Sequence, residues 1–150
     1  MAITIEVLGP QDESVLGHVA SGVFDHSTEP HLIREFLNDP RHHIAVALDG
    51  ALVVGFVSGV HYVHPDKPAE LWINEVGVAP SHRNRGIAKR LLSAVLNVGV
   101  QLGCRVAWVL TDRGNDAAMG LYTSAGGLET GAEQVMFSFS LNGSSPEGAA

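Results

Sequence analysis

Residues 70–102 read ELWINEVGVAPSHRNRGIAKRLLSAVLNVGVQL, and no other stretch restricts the possible folds as much. Residues 71–79 form an apolar, β-prone run, which Pro80 ends because proline cannot donate to a sheet ladder. From about Arg85 to Leu102, Ile87, Leu91, Val95, Val98 and Leu102 recur at helical spacing and make one apolar stripe. The turn between strand and helix is basic and holds Gly86 where the helix begins. The first amides of a helix lack an internal partner, and the helix dipole adds positive potential there. Gly86 and the small Ala88 let an anion approach the backbone, with Arg83, Arg85 and Lys89 beside it. One reading is a phosphate site; the other is a capped surface helix with solvated arginines. Neither a Walker loop nor a three-glycine dinucleotide fingerprint is present.

The rest of the chain fits around this unit. At 150 residues it is expected to be one domain with a real core. It contains no apolar run of spanning length and no signal-peptide pattern, so a cytoplasmic protein without a membrane partner is expected. The single Cys104 excludes an internal disulfide and a cysteine metal cluster. His42, His43, His61 and His64 show no metal-ligand spacing, and no metal is expected. A net charge of −7 argues against nucleic acid, whose binding needs a cationic face, and is compatible with a cationic small molecule.

In chain order, residues 3–8 read as a strand and 12–24 show helical spacing. Pro30 suits the first turn of a second short helix. Residues 43–48 and 51–62 make a hairpin about Asp49-Gly50. After the long helix come a strand at 105–110, a helix from Asn115 to about Ala125 stopped by Gly126-Gly127, and a final alternating strand at 134–141. The domain is therefore 1–141, with 142–150 a Gly/Ser/Pro-rich tail expected to be flexible. The order is β-α-α-β-β-β-α-β-α-β.

Three side chains invite a chemical reading. Glu75 lies in an otherwise apolar strand, where an ionised carboxylate is costly unless solvated, paired or functional. Desolvation would raise its pKa toward that of a useful base; an ion pair with a nearby arginine is the alternative. Tyr122 falls on the Ala118, Leu121, Tyr122, Ala125 stripe, and by spacing alone it is a core tyrosine. Asn115 reads as a helix cap.

Arg83-x-x-Gly86-x-Ala88, following Val76-Gly77-Val78-Ala79-Pro80, resembles the acetyl-CoA pyrophosphate loop of the GNAT acetyltransferases. The element order is similar to that α/β fold as far as Leu141. The resemblance implies a mixed central sheet of six to seven strands flanked by about four helices, with acetyl-CoA as cofactor and CoA as product. It implies that the turn residues Arg83, Asn84, Arg85, Gly86, Ile87, Ala88 and Lys89 bind the diphosphate. The backbones of Val76 and Val78 would hold the pantetheine arm where the fourth and fifth strands splay, and Gly77 fits a local bulge there. Glu75 would be the general base, commonly through water. Tyr122, in Leu121-Tyr122-x-x-x-Gly126, would protonate the departing thiolate, and Asn115 would touch the cofactor.

A narrower resemblance rests on Glu70-Leu71-Trp72-Ile73-Asn74-Glu75, His82-Arg83-x-x-Gly86-Ile87-Ala88, Thr111-Asp112-x-Gly114, Ala118-x-x-Leu121-Tyr122-Thr123 and Val135-Met136. These look like the type I aminoglycoside 3-N-acetyltransferases. That family implies an acidic cleft for a polycation, and Asp112, Asp116, Glu133, Glu29 and Asp25 are the acids available for it. Two positions depart from the family: Glu75 stands in place of Asp, and Asn115 in place of an acid. The reading is acetyl transfer to a primary amine by direct attack in a ternary complex. Another amine (polyamine, peptide or lysine), a non-catalytic acyl-CoA sensor and a partner-binding module are the rivals. A homodimer is left open.

Overall fold

The computed structural model describes residues 2–131 and 133–143. Strands β1 (Ile3–Val7), β2 (His42–Asp49), β3 (Leu52–Tyr62) and β4 (Glu70–Val78) pair antiparallel in sequence order, and β5 (Ala107–Val109) adds parallel to β4. The β2–β3 hairpin closes through Gly50 and Ala51, with Gly50 at the positive φ that such turns require. Ala45, Val46, Ala47, Val53, Val54 and Val57 are fully buried, as expected for central strands covered on both faces.

One face is covered by helix α2 (Ile87–Gln101), which buries Ile87, Leu91, Leu92 and Val95. The helix comes close to β4 at Gly99, where a Cβ would lie 2.9 Å from Leu71 Cδ2. A Cβ on Gly55 or Gly59 would meet Leu91 or Val95, so residues 55, 57 and 59 of β3 face α2. By strand alternation Phe56 and Ser58, with their partners Gly77 and Glu75, face the other way. That second face carries the N-terminal segment and helix α1 (Pro30–Asn38), which starts on Pro30 and buries Ile33 and Leu37. Helix α3 (Asp116–Ser124) follows β5 and packs Leu121, Tyr122 and Ala125 against the edge of the core.

Three expectations are corrected. The sheet has five strands among the described residues, not six to seven. Residues 134–141 alternate as a strand should, but they form no strand and pair with none among the described residues. Residues 12–24 are not an α-helix. A 3₁₀ segment, Pro10–Gly17, leads into an extended stretch in which Val19 bridges Val53. There the Val53 amide donates to the His18 carbonyl at 2.8 Å and the Ala20 amide to the Val53 carbonyl at 2.9 Å, so sheet pairing overrides the helical spacing. Of the expected tail, 144–150 lie outside the described residues.

Candidate functional site

Strand β5 accompanies β4 only briefly. Leu71 pairs with Ala107, Trp72 with Trp108 and Ile73 with Val109, and there the ladder stops. β4 continues to Val78, with Val57 opposite Val76 and Gly55 opposite Val78 on the β3 side alone. From Asn74 onward its other edge has no strand beside it among the described residues. The β3–β4 register shifts at Ser58/Gly59, leaving Asn74 as the extra residue. Gly77 is therefore not at the bulge. It is glycine because the Val23 carbonyl crosses directly over it, and a Cβ would collide with that oxygen and with the Phe56 ring.

Beyond β4 the backbone turns sharply. Pro80–His82 make one 3₁₀ turn, and Asn84 and Gly86 both take left-handed conformations, at φ +62° and +73°. Gly86 is the N-cap of α2, and no side chain caps that helix. The first helical hydrogen bond runs from the Arg90 amide to the Gly86 carbonyl at 3.2 Å. The amides of Ile87, Ala88 and Lys89 thus have no partner inside the helix. Arg83, Asn84, Arg85, Gly86 and Lys89 are exposed around them. Uncapped donors beside three cations fit a diphosphate. Two cations also make internal contacts: Arg83 Nε donates to the Val78 carbonyl at 3.1 Å, and Arg85 Nη2 to the Ser81 carbonyl at 3.4 Å. The turn is tied to the β2–β3 hairpin by His82, whose Nε2 lies 2.9 Å from Asp49 Oδ2 and whose Nδ1 lies 2.7 Å from Ser81 Oγ.

Glu75 points to the face opposite α2 and is exposed, not desolvated as its apolar strand suggests. The Asn74 bulge and the absent neighbour strand open it to water. No arginine pairs with it among the described residues, which removes the ion-pair alternative there. Tyr122 is half-buried, and burial pushes its phenol pKa up, so its proton is retained at neutral pH. Its helix ends with Gly126 at φ +93° and a Gly127 amide bond to the Tyr122 carbonyl at 2.9 Å, a Schellman closure. Asn115 caps the same helix, its Oδ1 accepting the Ala118 amide at 3.1 Å, which leaves Nδ2 for other partners.

The five candidate acids do not form one cluster. Asp25 lines a cavity of about 590 Å³ built from residues 17–28. This cavity belongs to the Glu75 face, because Val23 crosses Gly77 and the Phe24 ring stacks on Phe56 at 4.1 Å. Glu29 follows as the N-cap of α1, 3.6 Å from His31 Nε2. Asp112 and Asp116 flank the start of α3, and Glu133 is exposed in the segment after it. The sequence reading missed the cavity loop and the His82–Asp49 tie. In the sequence the loop shows only as the polar break Phe24-Asp25-His26-Ser27-Thr28-Glu29-Pro30, and the tie joins residues 33 positions apart with no local signal. No helix is long and apolar enough to cross a membrane, and no group of three His, Cys, Asp or Glu could hold a metal, among the described residues.

Comparison with known proteins sharpens this picture. Residues 10–126 match the model of the acetyltransferase (GNAT) family. The chain is 31% identical over 126 residues to the N-alpha-acetyltransferase RimI of Mycobacterium tuberculosis, covering 83% of this chain and 77% of that one. Its backbone resembles the aminoglycoside acetyltransferase HMB0005 from an uncultured soil metagenomic sample, with a TM-score of 0.78 and 22% identity over 95% of this chain and 100% of that one. It also resembles AAC(6')-Iy in complex with the bisubstrate analog CoA-S-monomethyl-acetylneamine, with a TM-score of 0.75 and 23% identity over 93% and 99% of the two chains. At these identities the two solved structures speak for the fold.

Proposed function

The chain belongs to the acetyltransferase (GNAT) family, and we propose that it acetylates a primary amine of a cationic small molecule, of the aminoglycoside class, at the 3-N position. The observation that supports acetyl-CoA use is the edge of β4 that has no strand beside it from Asn74 onward among the described residues, running straight into the uncapped start of α2. Acetyl-CoA supplies the activated thioester. The amides of Ile87, Ala88 and Lys89, with Arg83, Asn84, Arg85 and Gly86, hold its diphosphate. The backbones of Val76 and Val78 hold its pantetheine arm, the Val78 amide in particular, since Arg83 occupies the carbonyl. Asn115 Nδ2 gives a further polar contact.

The attacking amine must be neutral, so its proton must go elsewhere. Glu75 accepts it, directly or through a water that its exposure admits. Tyr122 keeps a phenolic proton for the departing thiolate. Attack is direct, within a ternary complex. Asp25 and Glu29 attract the cationic acceptor from the loop above the Glu75 face, and Asp112, Asp116 and Glu133 do so from the α3 side. The work is placed in the cytoplasm, with neither nucleic acid nor membrane as a partner.

A peptide N-terminal amine is the second reading, favoured by the similarity to a protein named as an N-alpha-acetyltransferase. Release of CoA thiol from acetyl-CoA, measured with an aminoglycoside, a polyamine and an alanine-initiated peptide, separates the two. The proposal expects the aminoglycoside to be turned over fastest, and Glu75→Gln to slow turnover while CoA affinity holds. Turnover of the peptide alone would replace the acceptor. CoA binding without turnover of any amine would make the protein a sensor.

A further inference from the structure

The chain has two tryptophans, Trp72 and Trp108, and they lie side by side on the sheet. They are register partners across β4 and β5, and their indoles stack at 5.4 Å with 10° between the planes. Tyr62 meets Trp108 edge-on at 6.4 Å, and its hydroxyl accepts the indole Nε1–H at 2.6 Å. All three side chains are partly exposed, and none is part of the buried core. This aromatic shelf stands next to Glu75 because of the bulge. Trp72 pairs with Val60 and Glu75 with Ser58, two positions that share one face of β3. Without the extra Asn74, residues 72 and 75 would point to opposite faces. With it they are neighbours on one face, about 7 Å apart along the strand. On the other side of Trp72 that face carries Glu70, opposite Tyr62. Glu70 Oε2 lies 2.8 Å from His64 Nε2, and the His64 ring meets Tyr62 edge-on at 5.1 Å. Trp72 thus sits between two carboxylates. The β4–β5 ladder ends one residue past the indole pair, so the shelf stops where the open edge of β4 begins.

We infer that the Trp72–Trp108 shelf is a specificity subsite that holds a second cation of the acceptor, about 7 Å from the amine that reacts at Glu75. The subsite rests on the proposed role of Glu75 as proton acceptor. Among aromatic side chains the indole face attracts a cation most strongly. An apolar group lodged between Glu70 and Glu75 would strip water from both carboxylates with nothing in return. An ammonium or guanidinium there is attracted to both carboxylates and to the ring. The stacking and the bond to Tyr62 fix the rings before anything binds, so little side-chain freedom is lost on binding. The acceptor class that fits is a compound with at least two cationic groups. A monoamine, or a peptide without a basic residue, leaves the shelf unused.

Both tryptophans belong to the shelf, so indole fluorescence reports it directly, whether or not acetyl transfer occurs. Titrating the full chain with cadaverine in the presence of CoA should change the emission saturably. n-Hexylamine, in which a methyl replaces the second ammonium, should not. In the release of CoA thiol from acetyl-CoA, the ratio of kcat/KM for cadaverine to that for n-hexylamine should fall about five- to thirtyfold in Trp72→Leu. It should fall less in Trp72→Phe, which keeps an aromatic face. Because Trp72→Leu could fail to fold, the fluorescence titration on the unaltered protein is the second readout. Equal fluorescence responses to the two amines, or a preference that survives Trp72→Leu, overturns the subsite. A saturable cadaverine signal without turnover of any amine supports the subsite and removes the acetyl-transfer reading. Turnover of both amines with no preference for cadaverine keeps that reading and overturns the subsite.

Discussion

Removing the His82 imidazole should loosen the turn at the start of α2 without unfolding the protein. Its Nε2 bonds a carboxylate oxygen of Asp49 at 2.9 Å, and hydrogen bonds to charged groups contribute about 1.5–3 kcal/mol net. The two side chains are only 13% and 29% exposed, yet a truncated neighbour would let water reach Asp49. That puts the loss from His82→Ala near the lower end, about 1.5 kcal/mol. Both tethered pieces keep other supports: the Asp49↔Leu52 pairing of the hairpin, the His82 amide bond to the Ala79 carbonyl, and the buried Ile87. The fold should therefore survive with a melting temperature lower by about 3–6 °C. If the turn must be re-ordered to hold a diphosphate, the same energy reappears as CoA affinity weakened by up to about tenfold, with kcat little changed. Calorimetric titration with CoA and thermal melts of His82→Ala, Asp49→Ala and the double variant measure both effects. The cycle should give a coupling energy of about 1 kcal/mol or more. Coupling indistinguishable from zero would refute the tie. A normal CoA affinity in a destabilised His82→Ala would show that the pair serves the hairpin alone.

Three further outcomes are expected. Tyr122→Phe should lower kcat by about 10²–10⁴, the range of a lost general acid, with the KM for acetyl-CoA nearly unchanged in steady-state kinetics. Gly77→Ala puts a Cβ against the Val23 carbonyl and the Phe56 ring, so it should cost about 1–3 kcal/mol in urea denaturation and raise the acceptor KM more than that of acetyl-CoA. Burial, with the charges of His61 and His42, holds the His43 pKa down to about 4 from an ordinary value of 6.5. The unfolded chain then binds more protons between those values. Stability should be full above about pH 6.5 and fall as pH drops toward 4, and His43→Gln should flatten that slope in melts recorded across pH.

Legibility from sequence followed how local the cause was. Ile87, Leu91 and Val95 are buried as their helical spacing implies, because period sets which face of a helix meets a sheet, whereas Leu102 at the end of the same stripe is exposed. The hairpin at Gly50, the cap at Asn115 and the stop at Gly126 are also local, resting on single-residue backbone preferences. Residues 12–24 misled because Val15, Val19 and Val23 have helical spacing while Val19 is drawn to Val53, a partner 34 positions away in sequence and invisible from the segment itself. Residues 134–141 misled for the complementary reason: alternation says which side chains would share a face, not whether a ladder partner exists. Glu75 read as desolvated because its sequence neighbours are apolar, but its exposure depends on where β5 ends.

Apart from the register shift at Ala47/Leu48 in the β2–β3 pair, the departures from regular backbone geometry around the candidate site are close together. The bulge at Asn74, the end of β5 pairing after Ile73, the crossing at Gly77, the left-handed Asn84 and the uncapped Gly86 all fall between residues 73 and 86. Local rules fail together where a site requires it. The donors offered there are largely backbone amides, which any side chain leaves in place, so binding a diphosphate depends on chain geometry that a short glycine-containing motif can announce. In the proposed reading, choice of amine would rest instead on carboxylates at Asp25, Glu29, Asp112, Asp116 and Glu133, carried on separate loops whose relative placement no motif encodes. A single residue changed in those loops should alter the acceptor while leaving the cofactor end intact. That asymmetry is why the family of this chain is plain and its acceptor has to be measured.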